Sequence, residues 1–359
     1  MTRRRMPLDK TPFALSRRQL LKAGAALIAT PAVLTSHHAR AQARKEVVLV
    51  NFGGIAMKAF DEAYVQPFAA EGGRIVLDGS GALNGKIVTM VQSGNVTWDV
   101  CDGGVTTLAE LNPRKALEKI DYSIVDKSKV PPEFAYENGV VNYMFSSVMA
   151  WDTAKIKETP TLADFFDLKK YPGRRMMRKD SQAMLELCLI ADGVPLDKLY
   201  PLDTKRAFAK LATIKKEVLY WNSGAESQSL MRDGECVMGL LWHTRANVLQ
   251  TETKGRIAYT FKDGLLQPGL WVVPKGNPAG AEAFRAIASM QKPEGQVKLL
   301  AAMGNGPSNP AAQSLVPPDL RSKNPADPDN VAMQAKINAE WYIENHSKTF
   351  QSFLDFISS

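Results

Sequence analysis

From Glu46 onward, short runs of β-branched and aliphatic residues alternate with segments of helical period. Glu46 to Asn51 (EVVLVN) predicts a strand, and Met57, Phe60, Tyr64 and Phe68 then recur at the spacing of one helix face. Arg74 to Leu77 predicts a second strand, Leu83 to Gln92 a helix stopped near Gly94, and Trp98 to Cys101 a third strand. This alternation predicts a parallel sheet with helices on its faces. After Asn138 the longer β-rich run Val140 to Trp151 departs from the spacing and is expected to connect two lobes. Beyond it, Thr204 to Lys216 reads as a helix with Phe208, Leu211 and Ile214 on one face and Thr204 as its cap. Glu235 to Trp242 and Gly255 to Phe261 read as strands, and Leu270 to Pro274 as a strand returning to the first lobe. Helices are expected over Ala281 to Met303 and Asn330 to Leu354, with a proline-rich surface crossing from Pro307 to Pro328 between them. The pattern therefore predicts two α/β lobes joined by more than one chain crossing.

Composition narrows the class. With 359 residues, 45% hydrophobic and 23% charged, the chain has room for two cored domains and no disordered or fibrous character. Three cysteines cannot form a disulfide framework, and each lies in an apolar run where a buried thiol is expected. The formal charge of +8 invites an acidic partner. The N-terminus removes that reading. Ser16-Arg17-Arg18-Gln19-Leu20-Leu21-Lys22, the apolar stretch Ala23 to Leu34 and small residues at Ala39, Ala41 and Ala43 form an export signal of twin-arginine type. Cleavage near Ala41 or Ala43 would remove eight of the 45 basic residues and one of the 37 acidic ones, leaving a mature charge of +1. A near-neutral exported protein has no electrostatic case for nucleic acid. Its expected location is the periplasm.

Catalytic chemistry is poorly represented. Gly79 to Lys86 nearly spells a phosphate loop, but Ser80 and Ile87 stand where glycine and a hydroxyl are required. Histidines and cysteines have no metal-ligand spacing. His243 lacks a nucleophile elbow and reads as a hydrogen-bonded residue at a strand end. No cofactor and no metal are expected, and an exported enzyme is the weaker alternative. What remains are glycine, aromatic and polar residues at predicted strand ends, where open α/β folds collect ligands. These are Phe52, Gly53 and Gly54 after the first strand, Asp102 and Gly104 after the third, Trp242 and Arg245 in the second lobe, and Gln267 at the recrossing. Paired glycines at such places let a backbone approach a ligand and offer its amides.

An ordered series of motifs resembles the extracellular solute-binding proteins of bacterial ABC importers, of the spermidine/putrescine type. It comprises Phe52-Gly53-Gly54, Trp98-Asp99-Val100, Ala163 to Asp167, Tyr171 to Arg175, Leu189 to Val194, Leu199 to Asp203 and Arg206 to Phe208. Trp221 to Ala225, Asp233 to Glu235, Trp242 to Arg245 and Gly304 to Asn309 complete it. The resemblance implies a type II periplasmic-binding-protein fold with a hinge and an inter-lobe ligand cleft, no catalytic residues, and a monomer that docks on an inner-membrane permease. The expected organisation is a signal peptide over 1–43, lobe 1 over 44–144 and 267–315, and lobe 2 over 145–266 and 316–359. A polyamine is the implied solute, and it needs carboxylates along the cleft. The corresponding positions of spermidine-binding relatives fall on Asp180, Ala183 and Gly269, of which one is acidic. Asp102, Glu226 or Asp263 could compensate, whereas Arg178 and Arg245 suit a carboxylate. Cation and anion both stay open at this point.

Overall fold

In the computed structural model residues 46–359 are described, so the export signal expected over residues 1–43 lies outside the described residues. The first strand, β1 (Glu46–Val50), is followed by α1 (Ile55–Phe60), one π-helical turn (Asp61–Val65) and α2 (Gln66–Ala70). These three pieces run on as the helix expected from Met57, Phe60, Tyr64 and Phe68, and the last three of those residues are buried. Strand β2 (Arg74–Asp78) and α3 (Asn84–Ser93) come next, the helix ending where Gly94 turns left-handed at φ 68°. That positive φ suits glycine because it has no Cβ to clash.

Strand β3 (Val100–Gly103) starts two residues later than expected. Trp98 and Asp99 are taken by side-chain bonds instead. The Asp99 carboxylate accepts from the backbone amides of Val48 and Ala279, and Trp98 Nε1 donates to Asp78 Oδ2 at 2.9 Å. Helix α4 (Val105–Leu111) and the long strand β4 (Val140–Asp152) follow. Next come β5 (Arg175–Arg178), α5 (Met184–Ala191), α6 (Thr204–Ala212), β6 (Val218–Trp221) and α7 (Gly224–Arg232). The cap of α6 is Asp203, whose carboxylate accepts from the Arg206 amide at 2.9 Å, and not Thr204.

Strand β7 (Met238–Trp242) runs directly into α8 (His243–Glu252). The two strands expected between Gly255 and Pro274 are one, β8 (Ile257–Val272), which stays paired to β4 except for an excursion at residues 261–264. The helix expected over Ala281 to Met303 is split into α9 (Ala281–Met290) and α10 (Pro293–Met303), because Pro293 has no amide to continue the ladder. The proline-rich crossing is less superficial than expected. Asn305 to Asn309 are buried, and short turns α11 (Pro318–Arg321) and α12 (Pro328–Val331) follow. The last helix, α13 (Ala339–Ser358), begins only after the Asn338 side chain accepts the Trp341 amide at 2.9 Å.

The sheet has the order β2-β1-β3-β8-β4-β7-β5-β6. Strands β1 to β3 are parallel, as are β5 to β7, and the two sets are joined through the antiparallel pair β8 and β4. The buried side chains fall into three clusters. One gathers Val47, Leu49, Phe60, Tyr64, Ile87 and Trp271 around β1 to β3. The others occupy opposite faces of the second half, since Met176 and Leu241 lie in one cluster while their chain neighbours Met177 and Leu240 lie in the other. A strand buried on both faces shows no regular polar alternation, and Val140 to Trp151 has none.

Candidate functional site

The registers bring two sets of strand ends face to face. Gly103, the last residue of β3, is level with Leu270 and Val141. Trp242, the last residue of β7, is level with Ser147 and Leu265. Because β3 and β7 run in opposite directions, their carboxyl ends point at each other across five residues of β8, roughly 17 Å at strand rise. The floor of this gap is the pairing of Tyr143 with Gly269 and of Phe145 with Gln267. Ligands of open α/β sheets bind at such carboxyl ends.

On the β5–β7 side the residues are packed in advance. Arg178 ends β5 opposite Trp221, and its Nη2 lies 3.1 Å from Asp180 Oδ2. Its guanidinium sits 5.1 Å over the Trp242 ring, and that indole meets Trp221 edge-on at 5.1 Å. Trp221 is fixed in turn by Nε1 donating to the Leu240 carbonyl at 3.0 Å. Arg245, in the first turn of α8, is half-buried. Its buried Nε has no hydrogen-bond partner, and no carboxylate lies within ion-pair reach of its side chain among the described residues. Burial lowers its pKa, but a guanidinium stays charged. An uncompensated, partly desolvated cation is costly, and an anion placed beside it would offset that cost.

Gln267 on the floor is held by side chains from β4 and the β5–α5 turn. Gln267 donates from Nε2 to Ser147 Oγ at 3.0 Å and accepts from Gln182 Nε2 at 2.6 Å. The Gln182 backbone amide donates in turn to Asp180 Oδ1 at 3.1 Å. Asp180 thus serves Arg178 and the β5–α5 turn together.

The β1–β3 side differs. Pairing of Val50 with Cys101 sets Phe52-Gly53-Gly54 and Asp102-Gly103-Gly104 at one edge of the sheet, as expected. The expected free amides are corrected in two cases. Asn51 Oδ1 already accepts from the Gly53 amide at 2.8 Å, and Thr107 Oγ1 from that of Gly104 at 3.1 Å. Gly53 holds φ 68°, and a Cβ there would stand 2.6 Å from the Gly79 carbonyl, so only glycine fits. Phe52 is 61% exposed. Asp102 is buried beneath Tyr143, whose hydroxyl lies 3.1 Å from each of its carboxylate oxygens. Burial raises the Asp102 carboxyl to about 7, against the lowering by the Tyr143 bond.

Tyr143, Ser147, Gln182 and Trp221 were not among the expected site residues. The polar positions Tyr143 and Ser147 inside an apolar strand were the available signal, whereas nothing local marks Gln182. His243 is structural, as expected. Its Nδ1 accepts from the Ser146 amide at 3.0 Å and its Nε2 faces the Gly304 carbonyl at 2.7 Å, while burial drops its pKa to about 4. All three cysteines are free and buried, with thiols pushed up by burial. Lys86 of the near-phosphate loop lies 4.0 Å over the Trp98 ring.

The model of the bacterial extracellular solute-binding protein family matches residues 57–329. The chain belongs to that family. This solute-binding protein is 31% identical over 326 residues to the gamma-aminobutyric acid-binding protein of Pseudomonas aeruginosa, covering 88% of this chain and 92% of that one. Among solved structures it is similar to a GABA receptor (30% identity, TM-score 0.79, 87% of this chain and 97% of that one). It is also similar to the PBP AgtB of A. tumefaciens in complex with agropinic acid (32% identity, TM-score 0.78, 88% and 99%). These similarities bear out the periplasmic-binding-protein fold. The spermidine/putrescine protein PotD of Streptococcus pneumoniae, at 18% identity and TM-score 0.69 over 88% of this chain and all of that one, shares the fold alone. The resemblance therefore holds for the solute-binding family and not specifically for its polyamine type.

Proposed function

We propose that this protein is the periplasmic receptor of an ABC importer for a small organic solute bearing a carboxylate, of amino-acid or opine type. Two lobes, 44–144 with 267–315 and 145–266 with 316–359, close on the solute by bending β4 and β8, and the closed monomer delivers it to a membrane permease. The observation that carries the solute class is Arg245, a half-buried guanidinium in the first turn after β7 with no carboxylate partner among the described residues. The indole of Trp242 supplies the apolar wall beside it. A polyamine fits less well. Of the positions where spermidine relatives carry acids, Ala183 and Gly269 have none, and Asp180 is already neutralised by Arg178. An ammonium buried without a partner costs several kcal/mol, against ~8 kcal/mol for a whole micromolar site. Similarity to a gamma-aminobutyric acid-binding protein, a GABA receptor and a protein in complex with agropinic acid supports the same choice.

A thermal-shift panel of amino acids, opines, organic acids and polyamines tests the reading. A carboxylate-bearing compound at ~100 Kd should add about 2.7 kcal/mol of stability. Stabilisation by spermidine or putrescine alone would overturn it.

A further inference from the structure

Gly224 is the first residue of α7, directly after the Ser223 cap whose hydroxyl accepts from the Glu226 amide at 3.2 Å. Its backbone is not among the left-handed ones, so nothing in its own conformation requires glycine. What requires it is Arg245. A Cβ at position 224 would stand 2.5 Å from Arg245 Nε, 3.1 Å from Cζ and 3.2 Å from Cδ. The guanidinium therefore lies against a helix start. That end of a helix carries partial positive charge and offers a cation no attraction. Packing on bare backbone, and no ion pair, sets where the guanidinium lies.

We propose that Gly224 is a positioning residue for solute binding: its missing side chain leaves the room in which the Arg245 guanidinium lies where it receives the solute carboxylate. The proposal rests on the reading of Arg245 as the carboxylate-binding residue. Any side chain at 224 meets the middle of a flexible arginine and not backbone. With a Cβ 2.5 Å from its Nε, Arg245 must shift for any side chain to fit, and the solute would lose its cation. Structure and binding thus separate at this position. Alanine is favoured over glycine in a helix, so a purely structural view expects Gly224→Ala to be neutral or stabilising for binding as well.

The test compares Gly224→Ala, Arg245→Met and the double variant in the full mature chain. The probe is whichever of 4-aminobutyrate, agropinic acid and the common amino acids binds the parent protein most tightly by calorimetry. The expected result for Gly224→Ala is an unchanged or raised Tm and a loss of affinity of about tenfold or more. In the Arg245→Met background the same change should cost no further affinity, because the two residues act as one. Without ligand, the Arg245 Nε–H resonance, assigned by its loss in Arg245→Met, should move in Gly224→Ala. If Gly224→Ala binds like the parent while Arg245→Met does not, the positioning role is overturned and the carboxylate reading stands. If Arg245→Met binds like the parent, or no carboxylate probe binds at all, both fail. A fall in Tm of more than about 3 °C in Gly224→Ala would mark a structural role and overturn the proposal.

Discussion

The two sides of the cleft are built on different principles. On the β5–β7 side, Arg178, Trp221 and Trp242 are clamped to one another, and Arg245 is left with its charge unmatched. On the β1–β3 side the Gly53 and Gly104 amides and the Asp102 carboxyl have partners within the chain, Asn51 Nδ2 is buried without one, and Phe52 stands mostly in solvent. In the proposed receptor, a solute would land first on Arg245 and then be covered, so the β5–β7 side would set which solute binds and the other side how long it stays.

The sharpest way to break this contrast is Arg245→Met. It should weaken a carboxylate solute by about a hundredfold or more and leave Tm unchanged or higher, since it removes a partly desolvated charge. Equilibrium binding and a thermal melt check both. Next in size is the buried carboxyl beneath Tyr143. With its folded value near 7, Asp102 holds a proton in the folded protein that it releases on unfolding between the ordinary carboxylate range and pH 7. Its contribution to stability should therefore fall as pH rises from about 4 to 7 and level off above, by about 4 kcal/mol for such a group. Glu186 does the same away from the cleft. Its Oε1 accepts from Tyr200 and Tyr342 at 2.6 and 2.8 Å, and burial raises it to about 7. Buried His243, held near 4, works in the opposite sense over the same range, so urea melts across pH should show the fall lessened by Asp102→Asn and reversed to a rise when Glu186→Gln is added. A fall that survives both changes would place the protons elsewhere.

Smaller effects separate the two arginines and the two sides. Arg178→Met should cost about five- to tenfold in affinity, because it frees the Trp242 ring and strands Asp180, yet a carboxylate should still bind. Equal losses from Arg178→Met and Arg245→Met would erase the distinction between a clamp and an anion site. Phe52→Ala should change affinity by only about threefold, with the loss carried by a faster off-rate in stopped-flow. A slower on-rate instead would mean that Phe52 meets the solute first.

Much of this was legible in the sequence. Helical period and β-branched runs gave the first α/β unit, and Gly94 marked the end of α3 because only glycine turns left-handed without penalty. Trp242 and Arg245 were found as the end of an apolar strand followed by polar residues. Other features were not legible. Strand β8 was read as two pieces with residues 262–269 left between them, although the chain rejoins β4 at Leu265 after a bulge. Gln182 and Ser147 meet Gln267 from 85 and 120 residues away, a convergence that only the sheet order produces. The free state of Arg245 was equally hidden. An arginine's letter says nothing of whether a carboxylate lies beside it, and here Arg178 has one while Arg245 has none among the described residues.

The most direct measurement is calorimetric titration of parent protein and Arg245→Met with the best carboxylate solute from the thermal-shift panel and with spermidine. Tight binding of the carboxylate by the parent, its loss in the variant and no heat from spermidine in either is the expected result. A carboxylate bound equally by both proteins, or spermidine bound by the parent and more tightly by the variant, would contradict it.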